Sequence, residues 1–174
     1  MTITSANTSV NKNRPPAILK LIEKVHGWRR GTVYYDLGCG KYPEIIAKAL
    51  NKRGVVYIGT DPYNRKGTDN QTAFRHLNRH GGADTASISN VLNVIKDKRD
   101  RITLYNNAYR ELKEDGVLYI VVYEGDKSGQ GRITKKDCWQ NNKKTEDYQK
   151  EIASVFQNVK RKGKLIIAKK TKEF

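Results

Sequence analysis

The sequence predicts an α/β protein: a mostly parallel sheet with helices on both faces and an antiparallel hairpin at its C-terminal edge. Three observations predict it. Residues 32–37 and 55–61 are apolar runs that barely alternate, the pattern of strands buried on both faces. Helical patterns separate the strand runs, as parallel crossovers require. Residues 156–161 and 164–169 flank Lys162-Gly163, a hairpin signal close to the end of the chain.

Each element follows in order. Residues 1–13, rich in Thr, Ser and Asn, read as a flexible N-terminus ahead of one domain over 14–174. They lack the apolar stretch of a secretory signal. Residues 17–25 place apolar side chains at 18, 21, 22 and 25, a helical spacing opened by Pro15-Pro16 and closed by Gly27. Gly38-Cys39-Gly40 ends the first strand sharply. Residues 44–51 form a short helix with Ile45, Ile46, Ala49 and Leu50 on one stripe. After the second strand, 62–70 reads as a loop from its Pro, Asn, Gly and Asp content, and 71–79 as a weak helix. Residues 85–92 give the third strand, 97–113 a helix with apolar positions at 102, 105, 109 and 112, and 117–123 a fourth, strongly apolar strand. Residues 125–144 are polar and basic, with glycines at 125, 129 and 131. That is too long for an ordinary connection, so they read as a lid or insert. A last helix spans 145–155, with Thr145 as its candidate cap.

With 174 residues, 37% hydrophobic and 30% charged, the chain can bury a core. No run of apolar residues is long enough to span a bilayer, and no membrane partner is expected. Cys39 and Cys138 make neither a disulfide framework nor a four-ligand zinc site. His26, His76 and His80 lack metal or triad spacing, so no metal is expected, and the expected compartment is a reducing cytoplasm. Lys and Arg number 34 against 18 Asp and Glu, a net charge of +16. The excess sits at the two ends, +7 within 1–60 and +8 within 125–174. Such a surface attracts polyanions, DNA or RNA above all; a merely solvated lysine-rich surface is the other reading.

Three features fall at the carboxyl ends of predicted parallel strands, where α/β sheets place their ligands. Asp36-Leu37-Gly38-Cys39-Gly40 makes a tight turn that a ligand can approach closely. Asp61, 21 residues past Gly40, closes the next strand at an offset suited to the hydroxyls of a ribose. Ser89-Asn90-Val91-Leu92-Asn93-Val94-Ile95 leaves the third strand. Lys41, Tyr42 and Pro43 follow Gly40, so the third glycine that a pyrophosphate needs is missing. S-adenosylmethionine has a ribose and no pyrophosphate, and tolerates this loop.

On these residues the chain resembles the class I S-adenosylmethionine-dependent methyltransferases, whose fold is Rossmann-like. Residues 33–40 are similar to their first motif, 58–62 to their second, 84–95 to their fourth, and the 156–169 hairpin to their antiparallel edge. Within that class the chain is most similar to methyltransferases found beside DNA-phosphorothioation genes and in phages and mobile elements. Those share the Asp-x-Gly-Cys-Gly turn, an Asp-Pro after the second strand and a Val-Leu-Asn-Val-Ile run. The chain departs from them at Tyr42, where they usually keep a glycine, and in lacking a strand between Asp61 and Asp84. The resemblance implies S-adenosylmethionine as cofactor. Asp36 would orient its methionine end, with Gly38, Cys39 and Gly40 passing beneath. Asp61 would take the ribose, Pro62 and Tyr63 would flank the adenine, and Ser89, Asn90 and Val91 would line the methyl-transfer side. Tyr63 as a surface aromatic and Asn90 as a turn cap stay open.

The implied activity is methyl transfer to an acceptor that the sequence does not name. Nucleic acid is favoured by charge, with a small molecule left open. In-line transfer needs the acceptor held close, and a base only where the acceptor must first lose a proton. Asn90 and Glu124 are the candidate catalytic residues, Glu124 as that base. Residues 89–92 contain no proline, unlike the exocyclic-amine DNA methyltransferases, and Cys138 follows Asp137 where cytosine-C5 enzymes have proline. Both classes are therefore disfavoured. In the insert, Lys127, Arg132, Lys135 and Lys136 supply charge to an acceptor and Trp139 a stacking face. A reading from another class is a basic nucleic-acid-binding protein on a methyltransferase-like scaffold without turnover.

Overall fold

The computed structural model describes residues 12–171, so most of the expected flexible N-terminus, residues 1–11, lies outside the described residues. Helix α1 (Ala17–Val25) begins after the two prolines and buries Ile18, Leu19 and Ile22 on one stripe. β1 (Val33–Leu37) is buried at all five positions, as its lack of alternation requires. α2 (Pro43–Asn51) starts on Pro43, which suits a first helical turn because no N–H is needed there. β2 (Val56–Thr60) follows, then α3 (Gly67–Arg79), β3 (Ala83–Ser89) and a single 3-10 turn at Leu92–Val94. α4 (Lys98–Glu111) is capped by Asp97, whose carboxylate accepts the Arg99 N–H at 2.8 Å. β4 (Leu112–Val121), β5 (Arg132–Lys135), β6 (Cys138–Gln140), α5 (Thr145–Ile152), β7 (Asn158–Lys162) and β8 (Leu165–Lys169) complete the chain.

The main sheet has the order β2-β1-β3-β4-β8-β7. β1 to β4 run parallel, β8 pairs antiparallel with β4, and β7 closes the edge as a hairpin with β8. Strand alternation divides the core into two layers. Tyr34, Val55, Tyr119 and Leu165 meet α1 and α2 on one face. Val33, Tyr35, Leu37, Ile58, Ile88 and Ile120 meet α3, α4 and α5 on the other. This is the α/β architecture that the strand pattern predicts, C-terminal hairpin included. As expected, no strand lies between Asp61 and Asp84 among the described residues, so β2 is a sheet edge. No described helix is long and apolar enough to cross a membrane.

Several boundaries differ from the sequence reading, the third strand among them, which runs 83–89 and gives way to a 3-10 turn at Leu92–Val94; four differences have a local reason. The loop expected over 62–70 is cut short because α3 starts at Gly67; Asp69 favours the positive end of the helix dipole, and Leu77, fully buried, anchors the far turn. β4 begins five residues early, at Leu112 beside Ala83, and absorbs an irregularity through Asp115 at φ 63. α5 stops at Ile152, and Thr145 is its first helical residue; Lys144 holds the cap position. The stretch 125–144 contains a small antiparallel hairpin, β5 with β6, turned at Asp137 with φ 62. Its strands are too short and polar for their pattern to stand out from a loop.

Candidate functional site

The parallel strands bring their carboxyl ends together, and the three predicted features meet there. Register sets Asp36 between Gly59 of β2 and Ser87 of β3. Asp36 is 3% exposed. The Tyr34 hydroxyl donates to Ser87 Oγ at 2.6 Å, and Ser87 in turn donates to Asp36 Oδ1 at 2.7 Å. Burial pushes the Asp36 carboxyl up to about 6, the hydroxyls of Ser87 and Tyr57 oppose the rise, and the Asp61 charge adds to it. The chain thus keeps a costly carboxylate in its core, with acceptor capacity left over after Ser87.

The turn after β1 is bolted to the end of β2. Gly38 and Cys39 donate their N–H groups to Thr60 O at 2.8 and 3.0 Å. Gly38 has φ 81, and a Cβ there would stand 2.5 Å from Val91 Cγ2, so only glycine lets Val91 close over the turn. Cys39 is buried, and burial pushes its thiol up to about 12, which leaves it no nucleophilic role. Gly40 donates to Asp61 Oδ2 at 3.0 Å.

Asp61 is itself 6% exposed and heavily used. Its Oδ1 accepts from the N–H groups of Tyr63 and Asn64 at 2.9 and 2.8 Å and from Asn64 Nδ2 at 3.2 Å. Among the described residues Oδ2 accepts only from Gly40, which leaves room for one further donor. Of the two oxygens that the sequence spacing expects to face a ligand, the one with spare capacity is Oδ2. Pro62 and Tyr63 are exposed at the rim, Tyr63 at 56%. Ser89 ends β3, and Asn90 is exposed in the left-handed region, φ 54, with its N–H on Val121 O at 2.8 Å. A non-glycine residue held there is a strained position at a strand end beside the turn.

Glu124 has another task. Its Oε1 accepts the Thr145 N–H at 2.8 Å at the start of α5, and Lys127 lies 3.5 Å from Oε2. The Thr145 contacts hold its carboxyl below the usual range, which suits a helix cap and weakens it as a base. In the insert, Lys135 and Lys136 are exposed on the hairpin, and Arg132 lies 3.7 Å from Asp126. Trp139 packs against Gly131, donates to Asn141 Oδ1 at 2.8 Å and carries Lys96 Nζ 4.8 Å from its ring centroid. Its ring is an anchor more than a free stacking face.

Sequence reasoning missed the side chains that fasten the insert. Gln140 donates to Tyr123 O at 3.1 Å and accepts from Asn93 Nδ2 at 3.1 Å. Asn141 Nδ2 donates to Leu92 O and Ile95 O at 2.8 and 2.9 Å, and its N–H to Asn93 O at 2.8 Å. Beneath them Arg101 forms a buried, two-pronged pair with Glu151 at 2.8 and 2.7 Å. Run-on polar residues such as Gln140-Asn141-Asn142 look like loop, and only their burial gives them away.

The fold is shared with solved S-adenosylmethionine-dependent methyltransferases. A methyltransferase of that cofactor class from Methanosarcina mazei superposes with a TM-score of 0.58 at 14% identity, over 92% of this chain and 100% of the other. The 1,6-didemethyltoxoflavin-N1-methyltransferase of Burkholderia thailandensis, solved with its substrate and S-adenosylhomocysteine, gives 0.62 at 14% identity, over 88% and 76%. A 16S rRNA N2 G1207 methyltransferase from T. thermophilus, solved with the cofactor and guanosine, gives 0.54 at 16% over 93% of this chain, which spans only 44% of that one. No family model and no curated protein matches the chain.

Proposed function

We propose that the chain binds S-adenosylmethionine at the carboxyl ends of β1, β2 and β3 and transfers its methyl group, with nucleic acid as the favoured acceptor. The observation that carries the reading is the pair of buried carboxylates, Asp36 and Asp61, set around the Gly38–Gly40 turn. Asp36, at the cost of its own desolvation, offers a carboxylate to the ammonium of the methionine end. Asp61 offers Oδ2 to one ribose hydroxyl while its Oδ1 fixes the 62–64 loop beneath Tyr63. When bound, the cofactor supplies an electrophilic methyl on a sulfonium. The rest of the chain has to place the acceptor in line and close. Asn90 and the insert border that side, where Lys135, Lys136 and the +16 net charge support a polyanionic acceptor. Kinship with methyltransferases of phosphorothioation loci, phages and mobile elements rests on the quoted motifs.

Calorimetric titration with S-adenosylhomocysteine tests the cofactor step; saturable one-to-one binding is expected. A second reading has one observation in its favour: the N–H groups of Gly38, Cys39 and Gly40 are all paired within the protein. On that reading the chain is a nucleic-acid-binding protein on this scaffold. Salt-dependent binding of short DNA or RNA together with no heat from the cofactor product selects it. Salt-dependent binding that weakens in Lys135→Ala/Lys136→Ala, together with cofactor binding, selects the methyltransferase with a nucleic-acid acceptor. A cofactor-binding protein without a salt slope points to a small-molecule acceptor.

A further inference from the structure

β2 is a sheet edge with an unusual composition for one. Its Val-Tyr-Ile-Gly-Thr carries no charge and no proline, the devices that normally blunt an edge. In its parallel ladder with β1, Val56 donates to Thr32 O and Thr60 O accepts from the turn, so alternate residues face inward. The intervening Tyr57 and Gly59 turn their N–H and C=O groups to the other side, where no described strand lies. The next residue of the same parity, Asp61, shows what that side accepts. The Asn70 side chain pairs with it as a neighbouring strand would: Nδ2 donates to Asp61 O at 2.9 Å, and Oδ1 accepts the Asp61 N–H at 3.1 Å.

The edge is the floor of a groove of about 750 Å³ whose walls are α2 and α3. Tyr57, Ile58 and Gly59 line the floor; Ala47 and Ala73 leave the walls low. At Gly59 the Tyr57 hydroxyl and the Cys39 Cβ fill the place a side chain would take, and the N–H and C=O stay on the groove side. Arg65, Arg75 and Arg79 line the same groove, and Arg65 Nε is buried with no hydrogen-bond partner. The guanidinium groups outnumber the two carboxylates there, Glu44 and Asp69. Edge-to-edge pairing of two copies would bring these arginines together.

We infer that the β2 edge is a docking site for an extended acidic peptide of a partner protein, which adds to the sheet as a strand beside Tyr57 and Gly59 and lays its carboxylates against Arg65, Arg75 and Arg79. Main-chain pairing supplies affinity in this mode, and the alternate side chains supply selectivity. The groove reaches from Tyr57 towards the carboxyl end of β2, where Gly59, Arg65 and Pro43 line it, and the inference is tested without the cofactor.

The test uses the full chain and a panel of synthetic octapeptides alternating Glu with Val or Thr. Controls are the same peptides with Lys for Glu, and with alternate backbone nitrogens methylated. Binding is measured by fluorescence anisotropy, and amide hydrogen exchange is followed at Tyr57 and Gly59. Expected are acidic-peptide binding that slows exchange at both amides, and at least tenfold weaker binding of both controls. Arg75→Glu/Arg79→Glu, both on the exposed side of α3, should reverse the preference towards the Lys peptides. Absence of acidic-peptide binding overturns the inference, as does equal binding of the methylated peptides or binding without protection of the two amides. So does protection that rises with protein concentration alone, which would mean a second copy, or the same protection produced by a single-stranded oligonucleotide.

Discussion

Replacing Asp36 with asparagine separates the stability of this fold from the use of its site. The carboxyl is buried and held up to about 6 from an ordinary value of 3.8, chiefly by loss of solvent. A folded-state pKa above the unfolded one means that the folded chain holds the proton more tightly. The stabilising contribution is therefore complete below pH 3.8 and is lost as pH rises through about 6. A difference of that size corresponds to about 3 kcal/mol. Asparagine cannot ionise and keeps an oxygen for the Ser87 hydroxyl. Asp36→Asn is expected to exceed the wild type in stability by about 1–3 kcal/mol at pH 7–8, with the advantage vanishing towards pH 4. Urea denaturation across that pH range measures it, and titration with S-adenosylhomocysteine on the same samples should show weaker binding. A stability difference that stays constant with pH, or a variant less stable at pH 7 than at pH 4 relative to wild type, refutes the reasoning.

Three more outcomes are expected. Asp61→Ala should weaken S-adenosylhomocysteine by about 1–3 kcal/mol, because a charge-assisted acceptor is lost and the Gly40 and Tyr63 N–H groups it holds are released; unchanged calorimetric affinity removes Asp61 from the site. Glu151→Gln should destabilise the chain by about 3–5 kcal/mol, since it leaves the 2%-exposed Arg101 charge half-matched. Burial alone would raise the Glu151 carboxyl, but Arg101 outweighs it and holds it low. Its contribution in the wild type is thus present above the ordinary 4.5 and lost as pH falls below it, and acid-unfolding curves of variant and wild type should converge there. Gly38→Ala should lower the melting temperature by a few degrees or more. It sets a Cβ at φ 81 against Val91, a strain of about 1–2 kcal/mol before any clash; an unshifted melt contradicts the close approach.

How much of this was legible in the sequence depends on whether a residue's task is written in its own pattern. β1 and β2 announce themselves because both faces are buried, which erases alternation. The meeting of Asp36, Gly38, Gly40 and Asp61 follows from strand ends and spacing, so it too is readable. The partners of those residues are not. Asn70 sits in a stretch that reads as loop, yet it is helical and closes the edge at Asp61. Glu124 is the candidate base because it follows a core strand, and nothing in that pattern tells that its carboxylate accepts the Thr145 amide, 21 residues on. Arg101 and Glu151, 50 residues apart, carry no local signal of their pairing.

The fastening of the insert has a mechanical consequence. Gln140 and Asn141 tie its returning arm to the 92–95 turn and to Tyr123, while its outgoing arm holds the glycines at 125, 129 and 131. Asn142 binds the two arms together: its O accepts the Gly129 N–H at 2.8 Å, its Nδ2 donates to Gln130 O at 2.9 Å and its Oδ1 accepts the Asp126 N–H at 3.4 Å. The hairpin's tip, from Ile133 to Asp137, carries none of those side-chain ties. Residues there can be exchanged or the tip shortened while the Gly38–Gly40 turn and the sheet beneath keep their shape. That makes the tip a replaceable fitting on a fixed frame.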